Sequence, residues 1–299
     1  MALSFFLPED RGLIEVTGKD AAVFLQGLFS QDVVKNFSEG SVTYGVFPTP
    51  KGRVFSDAYI HHTSPNCFFL DVEGIIVSAL LSHLNHYLIL LDAEVKNKTG
   101  EYELISILGE QSVGPDFSSN EAFVSFVQRG EFHEYRVWVV KSQKEKWLRN
   151  LQVSGAVRVS SEFYEMMQIE AVIPKLGIEM DETTFPQEVG LEEYLNFKKG
   201  CFIGAEVLQR IFYQGHVNRA LVLLGLGECR NRVKNLKVFE ESEEVGKITR
   251  SIFSLPRNRV TALGLLKVSA LDSKKSLYAR DGEEKILLEV LKQPQMQRQ

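Results

Sequence analysis

The sequence predicts an α+β protein whose last third is built from strands alone. Three observations predict it. An apolar stripe with helical period lies near the N-terminus. Strand-like runs divided by strong turns begin at residue 42. After Gly215 the texture changes to short strands with Gly, Asn and Asp between them.

The elements follow in order. Leu13 to Val16 reads as a short strand, ended by Gly18-Lys19-Asp20, with Asp20 placed to cap the next helix. Ala21, Phe24, Leu25 and Leu28 fall at i, i+3, i+4 and i+7, one face of that helix. Val42 to Phe47, Val54 to His61 and Cys67 to Val72 are β-rich. Pro48-Thr49-Pro50-Lys51-Gly52 and Thr63-Ser64-Pro65-Asn66 separate them, which predicts an antiparallel meander. Gly74 to Leu88 returns to helical spacing. Tyr102 to Leu108 and Tyr135 to Val140 read as strands, with a loop over Gln111 to Asn120 between them. Ser142 to Leu151 is an amphipathic helix with Trp147, Leu148 and Leu151 on its apolar side; a short strand at Val157 to Val159 and a helix over Glu162 to Glu170 follow. Ala205 to Ile211 is helical. Val217 to Leu226, Lys237 to Glu240, Val245 to Phe253, Val260 to Val268 and Ile286 to Val290 then make a small β-barrel or sandwich, with a domain boundary near Gly215. The polar tail from Lys292 to Gln299 is expected to fray.

A chain of 299 residues exceeds one typical domain. Its net charge of -5 argues against a broad phosphate-binding surface, so no stable nucleic-acid binding is expected. No apolar run is long enough to span a bilayer, and the start lacks the basic region of a signal peptide, so the expectation is a cytoplasmic protein without a membrane partner. Cys67, Cys201 and Cys229 are far apart and form no C-x-x-C pair. Neither a disulfide framework nor a structural metal site is expected.

Two residues carry candidate chemistry. Cys201 follows Gly200 and precedes Gly204 and a helix start, where a helix dipole and Lys198 and Lys199 favour thiolate. On the local pattern alone a buried, inert cysteine beside a glycine turn is the better reading. Asp57 sits in the strand after the Lys51-Gly52-Arg53 turn and is placed to act as a base or to hold an amine; the blander reading is a polar residue facing water. His61, His62, His83 and His86 read as ordinary surface or half-buried residues. Lys198, Lys199 and Arg210 form either an anion site or a solvated basic face. No triphosphate, dinucleotide or nucleophile-elbow motif occurs.

In combination, these segments resemble the YgfZ family, folate-binding relatives of the glycine-cleavage T-protein. Val16-Thr17-Gly18-Lys19-Asp20-Ala21 with Phe24-Leu25-Gln26-Gly27 is similar to the family's opening motif, and Pro50-Lys51-Gly52-Arg53 to its turn. Ile173-Pro174-Lys175-Leu176-Gly177 with Glu179, then Pro186 and Glu188, resemble its central stretch. Gly246-Lys247-Ile248-Thr249 and Ala262-Leu263-Gly264 resemble its barrel motifs. The most specific piece is K-G-C-[FY]-x-G-Q-E, here Lys199, Gly200, Cys201, Phe202, Ile203, Gly204, Ala205 and Glu206.

The resemblance implies a T-protein-like fold with two interleaved α/β domains, residues 1–45 with 141–215 and residues 46–140. A C-terminal antiparallel β-barrel, residues 216–299, completes a ring around a central folate-sized hole. It implies tetrahydrofolate or a derivative as cofactor, held by Gln168, Glu170, Pro174, Glu188 and Phe202, with Cys201 and Asp57 as the chemically active groups. The implied partners of this expected monomer are iron–sulfur client proteins, including enzymes that modify tRNA. No turnover reaction is attached to the family; an aminomethyl transfer with Asp57 as base, or a protein-binding module that has lost folate, are the alternatives. The sequence departs from the pattern at Ala205 (Gln in the family), Phe202 (commonly Tyr), Val172 (Gly) and Gln168 (often Arg). Ser56-Asp57 stands where the T-protein has paired aspartates.

Overall fold

The computed structural model describes residues 3–35, 37–109, 122–229, 231–273 and 275–293, and the chain forms two compact units, residues 1–160 with 194–205, and residues 161–193 with 206–299.

The first unit holds two five-stranded sheets. One runs β3-β4-β5-β2-β6, from β2 (Arg11–Thr17), β3 (Val42–Pro48), β4 (Val54–Ser64), β5 (Cys67–Glu73) and β6 (Glu94–Asn97), antiparallel throughout. The predicted meander is its β3-β4-β5 part. The other runs β10-β1-β7-β9-β8, from β1 (Ser4–Phe6), β7 (Tyr102–Leu108), β8 (Ala122–Arg129), β9 (Phe132–Val140) and β10 (Val157–Arg158), with only β1 and β10 parallel. The expected loop at Gln111 to Asn120 lies outside the described residues.

Helix α1 (Ala21–Leu28) buries the four residues that its spacing predicts, Ala21, Phe24, Leu25 and Leu28. Together with α2 (Val77–Tyr87) it covers one face of the first sheet, where Ile14, Val16, Ile60, Phe68 and Leu70 meet Phe24, Leu25, Leu80 and Leu84. Asp20 occupies the cap position of α1, but its carboxylate accepts from the Asp92 amide instead of capping the helix. Helix α3 (Lys144–Val153) covers one face of the second sheet through Trp147, Leu148 and Leu151. Strand alternation places the opposite faces of the two sheets against each other. Leu13 and Phe69 of one sheet pack there with Leu104 and Trp138 of the other.

The second unit contains α4 (Ser161–Glu170), α5 (Ala205–Gln214, whose first residue belongs to the first unit), the short α6 (Val268–Ser273) and a closed antiparallel barrel. The barrel comprises β11 (Arg219–Leu226), β12 (Lys237–Glu240), β13 (Glu243–Ser254), β14 (Arg259–Lys267), β15 (Leu277–Asp281) and β16 (Glu284–Lys292), in the order β11-β14-β13-β12-β15-β16. Pairing of β11 with both β14 and β16 closes it and leaves no edge strand to template aggregation. Lys292, expected in a frayed tail, ends the last strand; residues 294–299 lie outside the described set.

Helix α4 ends in an arrangement that the sequence makes costly. The Val172 amide donates to Ile169 O and the Ile173 amide to Gln168 O, the paired bonds of a Schellman motif. The residue in the left-handed position is Val172, at φ +56°. A β-branched side chain is strained there, and glycine is the usual occupant. Val172→Gly is therefore expected to stabilise the second unit by about 1 kcal/mol, the strain relieved less the added chain entropy. A urea titration followed by far-ultraviolet circular dichroism measures it; a lower midpoint for the variant contradicts the strain argument.

Candidate functional site

Between the two sheets of the first unit lies a buried layer rich in charge. Asp71 on β5 is fully buried and accepts from Arg11 Nε (2.9 Å), Arg136 Nε (2.6 Å) and Trp138 Nε1 (3.0 Å). Arg136 also donates to Glu134 (2.5 Å), and Ser106 donates to the same carboxylate. Burial pushes the Asp71 carboxyl up, but Arg11 and Arg136 outweigh it and hold it well below the usual 3.8. His61, expected as an ordinary surface or half-buried residue, is 1% exposed and shares a 2.7 Å hydrogen bond with Ser125; burial lowers its pKa from the ordinary value, with Asp71 opposing.

Asp57 belongs to the same layer. It does not face water: it is 6% exposed. Its Oδ2 accepts from the Tyr44 hydroxyl at 2.9 Å, while Oδ1 has no hydrogen-bond partner among the described residues. Burial and, after it, Glu73 raise the Asp57 carboxyl above its ordinary value; Arg11, Arg129 and Tyr44 oppose them. The Arg129 guanidinium lies 4.0 Å from the Tyr44 ring centroid and 5.9 Å from that of Tyr194, so its charge is delivered over aromatic faces. A carboxyl with a raised pKa, a free lone pair and a tyrosine donor has the makings of a general base.

The signature segment is held on α1 and on the turn after β3. Lys199 is buried, and its ammonium donates to Gln26 O; burial lowers its pKa to about 8, with Asp32 opposing. The ammonium also lies 5.1 Å from the Phe202 ring centroid. The Ile203 amide donates to Gly27 O, and Ile203 packs on the core beneath α1. Gly204, at φ +75°, rests on the Thr49–Gly52 turn: a Cβ there would overlap Thr49 O and lie 3.2 Å from Gly52 N. Two motifs far apart in sequence are thus one contact in space. Between these anchors Gly200, at φ +105°, and Cys201 are exposed. Cys201 is therefore not the buried cysteine that its local pattern suggests.

Gln168, Glu170, Pro174 and Glu188 lie in the second unit, Phe202 in the first. Glu188 takes a bidentate pair from Arg219 (3.0 and 3.0 Å) and the Phe185 amide (2.9 Å). Glu170 accepts from Arg257 Nε (2.7 Å) and the Thr261 hydroxyl (3.1 Å). Glu179 accepts from Arg250 Nε (3.0 Å), and Arg250 also donates to Ile173 O (2.8 Å). Each of these three carboxylates therefore ties the 161–193 segment to a barrel strand or its turn. Pro174 is buried, and the Gln168 backbone serves the Schellman motif. Glu206 is exposed. Tyr44, Arg129 and Tyr194 were missed from sequence, because nothing in their local pattern ties three distant segments to Asp57.

Residues 9–114 match the family model described as the GCVT N-terminal domain. A curated relative named tRNA-modifying protein YgfZ, from Vibrio vulnificus, is 27% identical over 74% of this chain and 70% of its own length. The chain is a YgfZ-type relative of the glycine-cleavage T-protein. A mitochondrial homolog of the iron-sulfur cluster assembly factor IBA57, from Mycosarcoma maydis, is 24% identical over 72% of the chain and 55% of that protein. Among solved structures, the glycine cleavage system aminomethyltransferase T of Bartonella henselae superposes with a TM-score of 0.85 over 97% of this chain and 85% of that one. At 16% identity that likeness is one of fold. The fold is the T-protein's, mixed α/β with a closed C-terminal barrel. No helix among the described residues is long and apolar enough to cross a membrane.

Proposed function

We propose that this protein binds tetrahydrofolate or a derivative and supports the assembly or repair of iron–sulfur enzymes, tRNA-modifying ones among them, with Cys201 as the group offered to the client. The display of Cys201 carries the reading: Lys199 and Phe202 on either side of it are buried, while the thiol itself is exposed on a loop fixed at both ends. The names of the Vibrio and Mycosarcoma relatives support it.

The residues present fit a reduced folate. Glu170 accepts two hydrogen bonds of the roughly four a carboxylate takes, which leaves acceptor capacity for ring N–H donors. The reading keeps Gln168, Glu170 and Pro174, all in the second unit, as folate contacts. A bound folate supplies a carrier for one-carbon units; the chain's own part is to hold it and to keep the thiol in place. The reading includes the division into regions 1–45 with 141–215, 46–140 and 216–299, a monomer, and a cytoplasmic location.

Cys201→Ala is expected to reduce a cluster-dependent tRNA-modifying enzyme, assayed in cells lacking the native chain, to the level of those cells. Activity equal to wild type removes the role of the cysteine. Calorimetry with tetrahydrofolate is expected to give micromolar binding; none at all leaves a protein-binding module.

A folate-dependent one-carbon transferase is the second reading. The observation favouring it is the buried, half-satisfied Asp57 carboxyl, suited to act as base. Ser56 in place of a second aspartate weighs against it. Failure to form methylene-tetrahydrofolate from any aminomethyl or N-methyl donor sinks it.

A further inference from the structure

We propose that the first unit carries a separate binding site, a cavity at the end of β1 that takes a small zwitterion with an apolar body, an α-amino acid of the phenylalanine or leucine kind.

The cavity follows from where β1 stops. The register pairs Phe6 with Ser106, and β1 ends there. Pro8, two residues on, has no amide with which to continue a ladder. Tyr102 to Ile105 therefore carry β7 past the end of its neighbour. The cavity at this place measures about 450 Å³, within the roughly 300–1,000 Å³ usual for small-molecule sites. Every residue that lines it belongs to the first unit, and none is Cys201, Asp57 or a residue assigned to folate. Arg11 and Trp138 line it, and both donate to Asp71, so the cavity adjoins the buried charged layer. Leu7, Pro8 and Leu148 give it half-buried apolar surface. The Tyr102 ring adds a flat face and is held from behind by Phe69 and Phe123, with centroids at 5.6 and 6.1 Å. Such surface suits an apolar body of modest size.

The charges of the lining select what that body carries. Three are cations, Arg11, Lys144 and Arg158, and three are acids, Glu9, Glu103 and Glu145. Asp71 and Glu73 take Arg11, and Glu103 takes Lys144. Arg158, Glu9 and Glu145 are exposed and form no ion pair among the described residues. These three are therefore the charges open to a ligand, and they are of both signs. A pure anion would face the two glutamates, and a pure cation would face the guanidinium; like charges brought together cost binding energy. A molecule with both charges answers all three. Its carboxylate goes to Arg158, whose planar fork suits that group. Its ammonium goes to Glu9 and Glu145.

The probes are L-phenylalanine and L-leucine, with phenethylamine and 3-phenylpropionate as forms of the first that lack one charge. Calorimetry on the full chain at neutral pH is expected to give a dissociation constant of about 1 mM or below for at least one amino acid. Each analogue is expected to bind about tenfold more weakly than L-phenylalanine, the worth of one charged hydrogen-bonding partner. Arg158→Gln is expected to bring L-phenylalanine down to the level of phenethylamine and to leave phenethylamine as in wild type. Glu9→Gln combined with Glu145→Gln is expected to do the converse, leaving 3-phenylpropionate unchanged. All three side chains are exposed and unpaired among the described residues, so circular dichroism is expected to keep its native form. No heat from either amino acid up to about 10 mM overturns the proposal. So does equal binding by an analogue that lacks one charge, since the ligand class is then wrong. Binding that neither variant weakens also overturns it, because the amino acid then sits elsewhere on the chain.

Discussion

Arg136→Met is expected to destabilise the first unit by about 3–5 kcal/mol, the usual consequence of removing one partner from a buried ion pair. Arg136 is 3% exposed and pairs with Asp71, itself fully buried, and with Glu134 at 1% exposure. Without it, Glu134 loses its guanidinium partner, and Asp71 is left with Arg11, Trp138 and nearby His61. The loss is comparable with the whole stability of an ordinary domain, about 5–15 kcal/mol. Both tryptophans, Trp138 and Trp147, lie in this unit, so urea denaturation followed by fluorescence reports it directly. The pH dependence has a defined sign. The folded Asp71 carboxyl lies well below the 3.8 it has when free, so its contribution is present above that value and is lost as pH falls through the folded one. The difference between wild type and variant must therefore shrink on acidification. A cost that stays constant as pH is lowered from 4 to 2 contradicts the assignment of the effect to charge.

The same layer marks the limit of what the sequence discloses. Strand alternation on β4 was legible: Val54, Ser56, Ala58 and Ile60 point one way and Asp57, Tyr59 and His61 the other. A polar face of that kind normally meets water, which is the blander of the two readings of Asp57. Here it meets the polar face of a second sheet, and alternation carries no information about which of the two covers it. The apolar stripe of α1 was legible in full because a helix has only one core to face. The strands β1, β6, β8 and β15 were not. They are short or carry charged and small residues, and their strand state comes from the neighbours they pair with. Cys201 and Asp57 were found as residues, but the network that gives each its character joins segments more than a hundred positions apart.

Gly204→Ala is the second large effect, expected to cost the first unit roughly 2–4 kcal/mol. Two separate demands meet at this residue. At φ +75° the backbone is left-handed, which costs a side-chain-bearing residue about 1–2 kcal/mol. The added methyl would also overlap Thr49 O, a backbone atom that cannot rotate aside, with Gly52 N and Cα at 3.2 Å behind it. The turn over Thr49–Gly52 is itself closed by a bond from the Gly52 amide to Thr49 O, so relief must open that turn or lift the loop. Gly200→Ala is the control. It lies at φ +105° but with no neighbour within 4 Å, so it meets the conformational penalty alone. Fluorescence-detected urea titrations of both variants are expected to show the larger loss at 204. Equal losses would mean that conformation alone fixes Gly204, and the contact between the two motifs would then carry no energy. A larger loss at 204, together with an altered alkylation rate at Cys201, ties the Thr49–Gly52 turn to the presentation of the thiol: a motif that touches no sulfur would hold the sulfur's loop in place.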